Sequence, residues 1–146
     1  MVIMSVTTNI EKISWDKAWQ EIRALLPNAT HCTPASLMQA AEKANVRVTV
    51  MDAQEFPLEE SDPFLIRKLL AGAKENELVI TVTDCSFRDG WTPFAFRLVD
   101  VETFAAAYRR LTDECVISGL DVVLLCPTSK FIAVYYHEGQ VATIGR

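Results

Sequence analysis

Few residues in this sequence have the type and spacing to do chemistry. His137 and Glu138 stand side by side after an apolar run, where an imidazole and a carboxylate could share a site as acid and base or as metal ligands. The same stretch, His137-Glu138-Gly139-Gln140, also satisfies a turn in which Gly139 supplies a positive φ, and the turn is the reading adopted. Cys85 is the candidate nucleophile, at the end of a β-rich run beside Asp84. A neighbouring anion raises a thiol's pKa, and no histidine lies near Cys85 in sequence; only His137, at another strand end, could approach it in space. A metal site needs about three or four ligands, whereas the chain has two histidines, His31 and His137, and no HxH, HExxH or paired-cysteine spacing. The five glycines, at 72, 90, 119, 139 and 145, are isolated and form no phosphate loop. No catalytic residue, metal or cofactor is assigned.

Recognition is written more plainly than catalysis. Between Arg47 and Arg67 there is no basic residue but there are five acids, Asp52, Glu55, Glu59, Glu60 and Asp62. They account for the whole net charge of −5, since the other carboxylates match the 14 Lys and Arg. Phe56 and Leu58 sit among them, a mixture that suits capture of a basic protein partner, with carboxylates steering the approach and the apolar pair docking. A second candidate surface is the loop Phe87-Arg88-Asp89-Gly90-Trp91, where two aromatics and an arginine surround a turn in a composition common at interface hot spots. The alternative is that Phe87 and Trp91 fold back to close the end of the sheet. Net acidity argues against nucleic acid as a partner.

The elements that must position these residues form a single domain, 1–146. A chain of this length buries about two thirds of its unfolded surface around one core, and half of its residues are apolar. The apolar start MVIMSV is too short for a signal or a membrane span, and the four cysteines, 32, 85, 115 and 126, read as buried thiols of a cytoplasmic protein. Val2 to Val6 could form an edge strand or a tail. Ser14 caps a helix over 15–26 with Trp15, Trp19, Ile22 and Leu26 on one face, and Thr33-Pro34 starts a second that runs to Ala44. A strand follows at Val46–Met51, then the acidic loop, then a helix capped by Ser61 or Asp62, with Phe64, Ile66, Leu69 and Leu70 inward, ending near Glu75-Asn76. Leu78–Thr83 reads as a strand buried on both faces, and Phe94–Leu98 as its antiparallel neighbour. Asp100 caps a fourth helix with Phe104, Tyr108 and Leu111 inward. Val122–Cys126, Phe131–Tyr136 and Val141–Ile144 form a terminal meander. The order α-α-β-α-β-β-α-β-β-β is that of an α+β domain, with an antiparallel or mixed sheet and four helices on one face.

The C-terminal pattern, an Asp and apolar strand at Asp121–Leu125, an aromatic-rich strand at Phe131–Tyr136 and then His137-Glu138-Gly139, resembles that of some bacterial immunity proteins of polymorphic and contact-dependent toxin systems. The resemblance covers some 20 positions. It implies a non-enzymatic protein that binds and blocks a toxin domain, and it fixes no binding residue. Two alternatives stand beside it: a small enzyme using Cys85 or His137, and an adaptor that dimerises through its sheet edge. A monomer and a homodimer are both compatible with the sequence, and no membrane association is expected.

Overall fold

The structure, a computed structural model, describes residues 10–51 and 56–146. Its elements are α1 (Trp15–Leu25), α2 (Pro34–Lys43), β1 (Val48–Met51), α3 (Asp62–Leu69), β2 (Leu78–Val82), β3 (Phe94–Arg97), α4 (Val101–Thr112), β4 (Val122–Cys126), β5 (Phe131–Tyr136) and β6 (Gln140–Ile144). The expected order of helices and strands is therefore present, in an α+β domain. Among the described residues the six strands form one antiparallel sheet in the order β1-β6-β5-β4-β2-β3. The expected strand at Val2–Val6 lies outside the described residues.

One expectation is corrected: the helices cover both faces of the sheet. Every residue of β4 is buried, and so are the first five of β5, so each strand presents an apolar row in both directions and needs a layer on each side. On one face Val122, Leu124, Ala133 and Tyr135 pack with Leu65, Ile66 and Leu69 of α3 and Phe104 and Tyr108 of α4. On the other, Ile80, Val123, Leu125, Ile132 and Val134 pack with Ala18 and Ile22 of α1 and Leu37 and Ala41 of α2. Aromatic packing fixes the first layer: Phe96 stacks on Phe104 at 4.2 Å, and Phe94 meets Tyr108 edge-on at 5.4 Å.

The helix starts at Ser14 and Thr33 follow the expected chemistry. Ser14 Oγ accepts from the Lys17 N–H at 3.1 Å, and Thr33 Oγ1 from the Ser36 N–H at 3.3 Å. Ser61 and Asp100 occupy N-cap positions but make no side-chain cap bond. The third helix stops at Leu69, short of Glu75, because Gly72 turns the chain at φ +93°, a conformation open chiefly to glycine. Phe64 and Leu111, expected inward, are 49 % and 41 % exposed. The burying rows of their helices instead run through Leu65, Ile66 and Leu69, and through Val101, Phe104, Ala105 and Tyr108.

Strand register divides the loops between two ends of the sheet. Val82 lies opposite Val123, Val122 opposite Tyr135, Tyr136 opposite Gln140, and Met51 opposite Val141. One end, called the upper rim here, therefore carries the exits of β1, β2 and β5 and the entrances of β3, β4 and β6. The loop 83–93, Asp121 and the His137 turn all belong to it.

Candidate functional site

The upper rim gathers most of the residues singled out from the sequence, but it sorts them into different roles. Cys85 follows β2 in a 3-10 turn, Asp84–Phe87, held by reciprocal bonds of Thr83 and Ser86. Its thiol is buried, donates to Glu114 Oε2 at 3.3 Å and accepts from the Tyr108 hydroxyl at 3.4 Å. The Tyr108 hydroxyl also lies 2.9 Å from Thr83 Oγ1. Burial pushes the Cys85 thiol up in pKa; the Tyr108 bond and the Arg88 charge oppose this, and Glu114 reinforces it. The net rise opposes thiolate formation, so this is a held thiol and not an activated one. The anion beside it is Glu114, which sequence adjacency had no way to indicate. Burial likewise pushes Cys32 and Cys126 up to about 12.

His137 is bonded to Asp121 and to no member of that cluster among the described residues. Asp121 Oδ1 lies 2.8 Å from the His137 Nδ1 and accepts the His137 backbone N–H at 2.8 Å, so one carboxylate oxygen holds both the ring and the start of the turn. Gly139 takes φ +88° and its N–H donates to the Tyr136 carbonyl, as a closed turn requires. Among the described residues no group of three or more His, Cys, Asp or Glu is placed to hold a metal. Asp121 also borders a small cleft of about 170 Å³ with Asp84, Cys32 and Phe87.

The acidic segment is divided. Asp52 and Glu55 lie outside the described residues. Phe56, expected on the docking surface, is buried and meets Tyr135 at 5.8 Å, so it closes the core under the segment. Asp62 accepts the Val116 N–H at 2.7 Å and the Ile117 N–H at 3.1 Å, and so ties the start of α3 to the loop before β4. Leu58, Glu59 and Glu60 remain exposed.

The aromatic loop has the most developed surface. Phe87 is 55 % exposed and lies 5.2 Å from Trp15 at the start of α1. The Arg88 guanidinium sits 5.3 Å from the Trp91 ring centre, and the Lys12 ammonium 4.8 Å from it. Arg88 also pairs with Glu114 at 3.4 Å. Trp91 is half-buried against Phe94 at 6.2 Å, as the fold-back reading requires, whereas Phe87 stays outside. One turn further along α1, Arg23 covers Trp19 at 4.7 Å. Trp15 and Trp19 pack against the α1–α2 layer and Trp91 against the α3–α4 layer, each within reach of an aromatic or cationic neighbour. Trp15 and Lys12 were missed as site residues; the helical spacing of Trp15 identified a face but not its neighbour across the loop.

No family model matches the chain, and no match was found among curated proteins or solved structures. Among the described residues no helix is long and apolar enough to cross a membrane.

Proposed function

We propose that this chain is a binding protein that captures another protein along its upper rim, with no chemistry of its own. The observation that carries the proposal is Phe87, a large aromatic held outside the core against Trp15, beside an arginine and a second tryptophan. Interface energy concentrates in such Trp, Phe and Arg groups, and a solvent-exposed Phe of this kind contributes little to folding. Arg88 and Lys12 are exposed but engaged, Arg88 with Glu114 and both with the Trp91 ring, so they brace the aromatics as well as carrying charge.

The partner class we propose is a basic protein domain of the kind that immunity proteins neutralise. Supporting this is the exposed trio Leu58, Glu59 and Glu60, in the segment that follows the rim end of β1, which provides steering charge separate from the aromatic anchor. Cys85 supports the same reading, because its thiol is buried and engaged at the place where an enzyme would need it exposed.

Affinity capture from source cells, followed by binding measurements with the purified captured protein, tests both parts. The expected partner is basic, loses most of its affinity for Phe87→Ala, and associates more slowly with Glu59→Ser/Glu60→Ser. An acidic partner, or unchanged binding by both variants, would overturn the proposal.

A further inference from the structure

The two edges of the sheet are treated differently. At β3 the outer edge is occupied by the chain itself: Ala95 donates to the Glu11 carbonyl at 3.0 Å, Ile13 donates to the Pro93 carbonyl at 2.9 Å, and Lys12 bridges to Phe94. At β1, on the far side, no such cover exists among the described residues.

Register identifies which groups of β1 face outward. The Gly145 N–H donates to the Arg47 carbonyl at 2.7 Å, so position 47 is a hydrogen-bonded pair with β6, and by alternation 49 and 51 are as well. The amide and carbonyl groups of Val48 and Val50 therefore point away from the sheet, and among the described residues they have no partner. Both valine side chains project to the α2 face, where Val50 is 57 % exposed. Val48 lines a groove there with Met38, Val46 and Tyr136. The strand, Val-Thr-Val-Met, contains no proline, glycine or charge, which are the usual devices that keep an edge from pairing.

We infer that β1 pairs antiparallel with β1 of a second copy of this chain, about a two-fold axis at Thr49. That register sets Val48 opposite Val50 of the second copy twice over, joins all the outward backbone groups of the two strands, and makes one apolar strip of four valines across the α2 faces. Charge selects the antiparallel sense. Lys43 and the exposed Arg47, only partly offset by Glu42, precede the strand, while Glu138 stands in the turn beside its end. An antiparallel copy brings the basic start of one strand alongside the acidic end of the other, whereas a parallel copy would set like charges together. The β1 edge lies across the sheet from the aromatic loop, so the pairing leaves Phe87 uncovered.

Light scattering over a concentration series tests the state, and a cysteine scan tests the register. Wild type should be a dimer, and Val50→Lys a monomer with an unchanged circular dichroism spectrum. In a Cys115→Ser background, Thr49→Cys should oxidise to a covalent dimer, because position 49 faces itself in a pair without backbone hydrogen bonds, where the Cα atoms come about 4.5 Å apart and a disulfide can form. Met51→Cys should not. A wild type that stays monomeric, a dimer that survives Val50→Lys, or equal cross-linking at 49 and 51 would overturn the inference.

Discussion

The two ends of the sheet are built for different tasks. At the lower end the loops are tied to one another. Glu77 is only 4 % exposed, and its carboxylate accepts the Ser129 N–H at 2.6 Å and the Lys74 N–H at 3.0 Å, clamping the β4–β5 turn to the lead-in of β2. Arg97 donates to the Asn76 carbonyl at 2.7 Å, and Arg67 pairs with Glu75 at 2.7 Å. Arg146 donates to the Ala71 carbonyl and lies 4.2 Å over the Phe131 ring. At the upper rim, by contrast, large side chains are left partly outside: Phe87 and Leu58 are exposed and Trp15 and Trp91 are half-buried. Polar side chains hold the backbone at both ends, Asp62 and Asp121 at the rim as Glu77 at the lower end, and the rim in addition leaves aromatic side chains partly outside. A protein that binds a partner at one end needs its opposite end to hold the fold without help.

That contrast predicts a graded series of substitutions. The largest effect on folding is expected from Glu77→Ala, which leaves two amides without their acceptor and should cost about 3 kcal/mol in denaturant unfolding. Burial raises the Glu77 carboxyl, but its hydrogen bonds from Ser129 and Lys74 outweigh that and hold it below the ordinary carboxylate range. Its contribution is therefore complete above that range and is lost as the pH falls through the lowered folded value. Unfolding measured against pH should show a steeper acid limb in wild type than in Glu77→Gln.

Asp62→Ala, on the rim but engaged with the backbone, should cost about 2 kcal/mol of stability by the same measure, setting it apart from its acidic neighbours. Phe87→Ala should reverse the pattern: a loss of about 2 kcal/mol in partner binding by calorimetry, roughly 30-fold, with folding changed by no more than about 0.5 kcal/mol. The smallest effect belongs to Glu59→Ser/Glu60→Ser. Stopped-flow association should slow by a few-fold at low salt and converge with wild type as salt screens the charges. If Phe87→Ala unfolded the chain, or Glu77→Ala left it intact, the division between the two ends would fail.

Much of the fold was legible because each element declared itself locally. Strands β2, β4 and β5 are continuous, almost wholly apolar runs, and Ser14 and Thr33 bond the amides that their positions suggested. The second helical layer was legible in principle, since LVITV and VVLLC lack the polar alternation of a one-sided strand; assigning all four helices to one face ignored that signal. Phe56 was misread because a lone aromatic among carboxylates has no periodicity, and only Tyr135, far along the chain, provides its place. The thiol cluster was not legible at all: Cys85, Tyr108 and Glu114 are joined by the packing of α4 on the sheet, not by any spacing. The aromatic loop was half legible, as composition marked Phe87, Arg88 and Trp91 but not the approach of Trp15 and Lys12.

The contact of Trp15 with Phe87, and of Trp91 with Arg88, has a practical consequence. Besides these two the chain has only Trp19, and none of the three is fully buried. Intrinsic fluorescence should therefore come from rings in contact with water even in the folded state, two of the three beside the Phe87 loop. A partner that seats on Phe87 would dry Trp15 and Trp91 and shift the emission to shorter wavelength, whereas pairing at β1 would leave the spectrum unmoved. The molecule thus carries a native optical probe that distinguishes its two proposed contacts without a label.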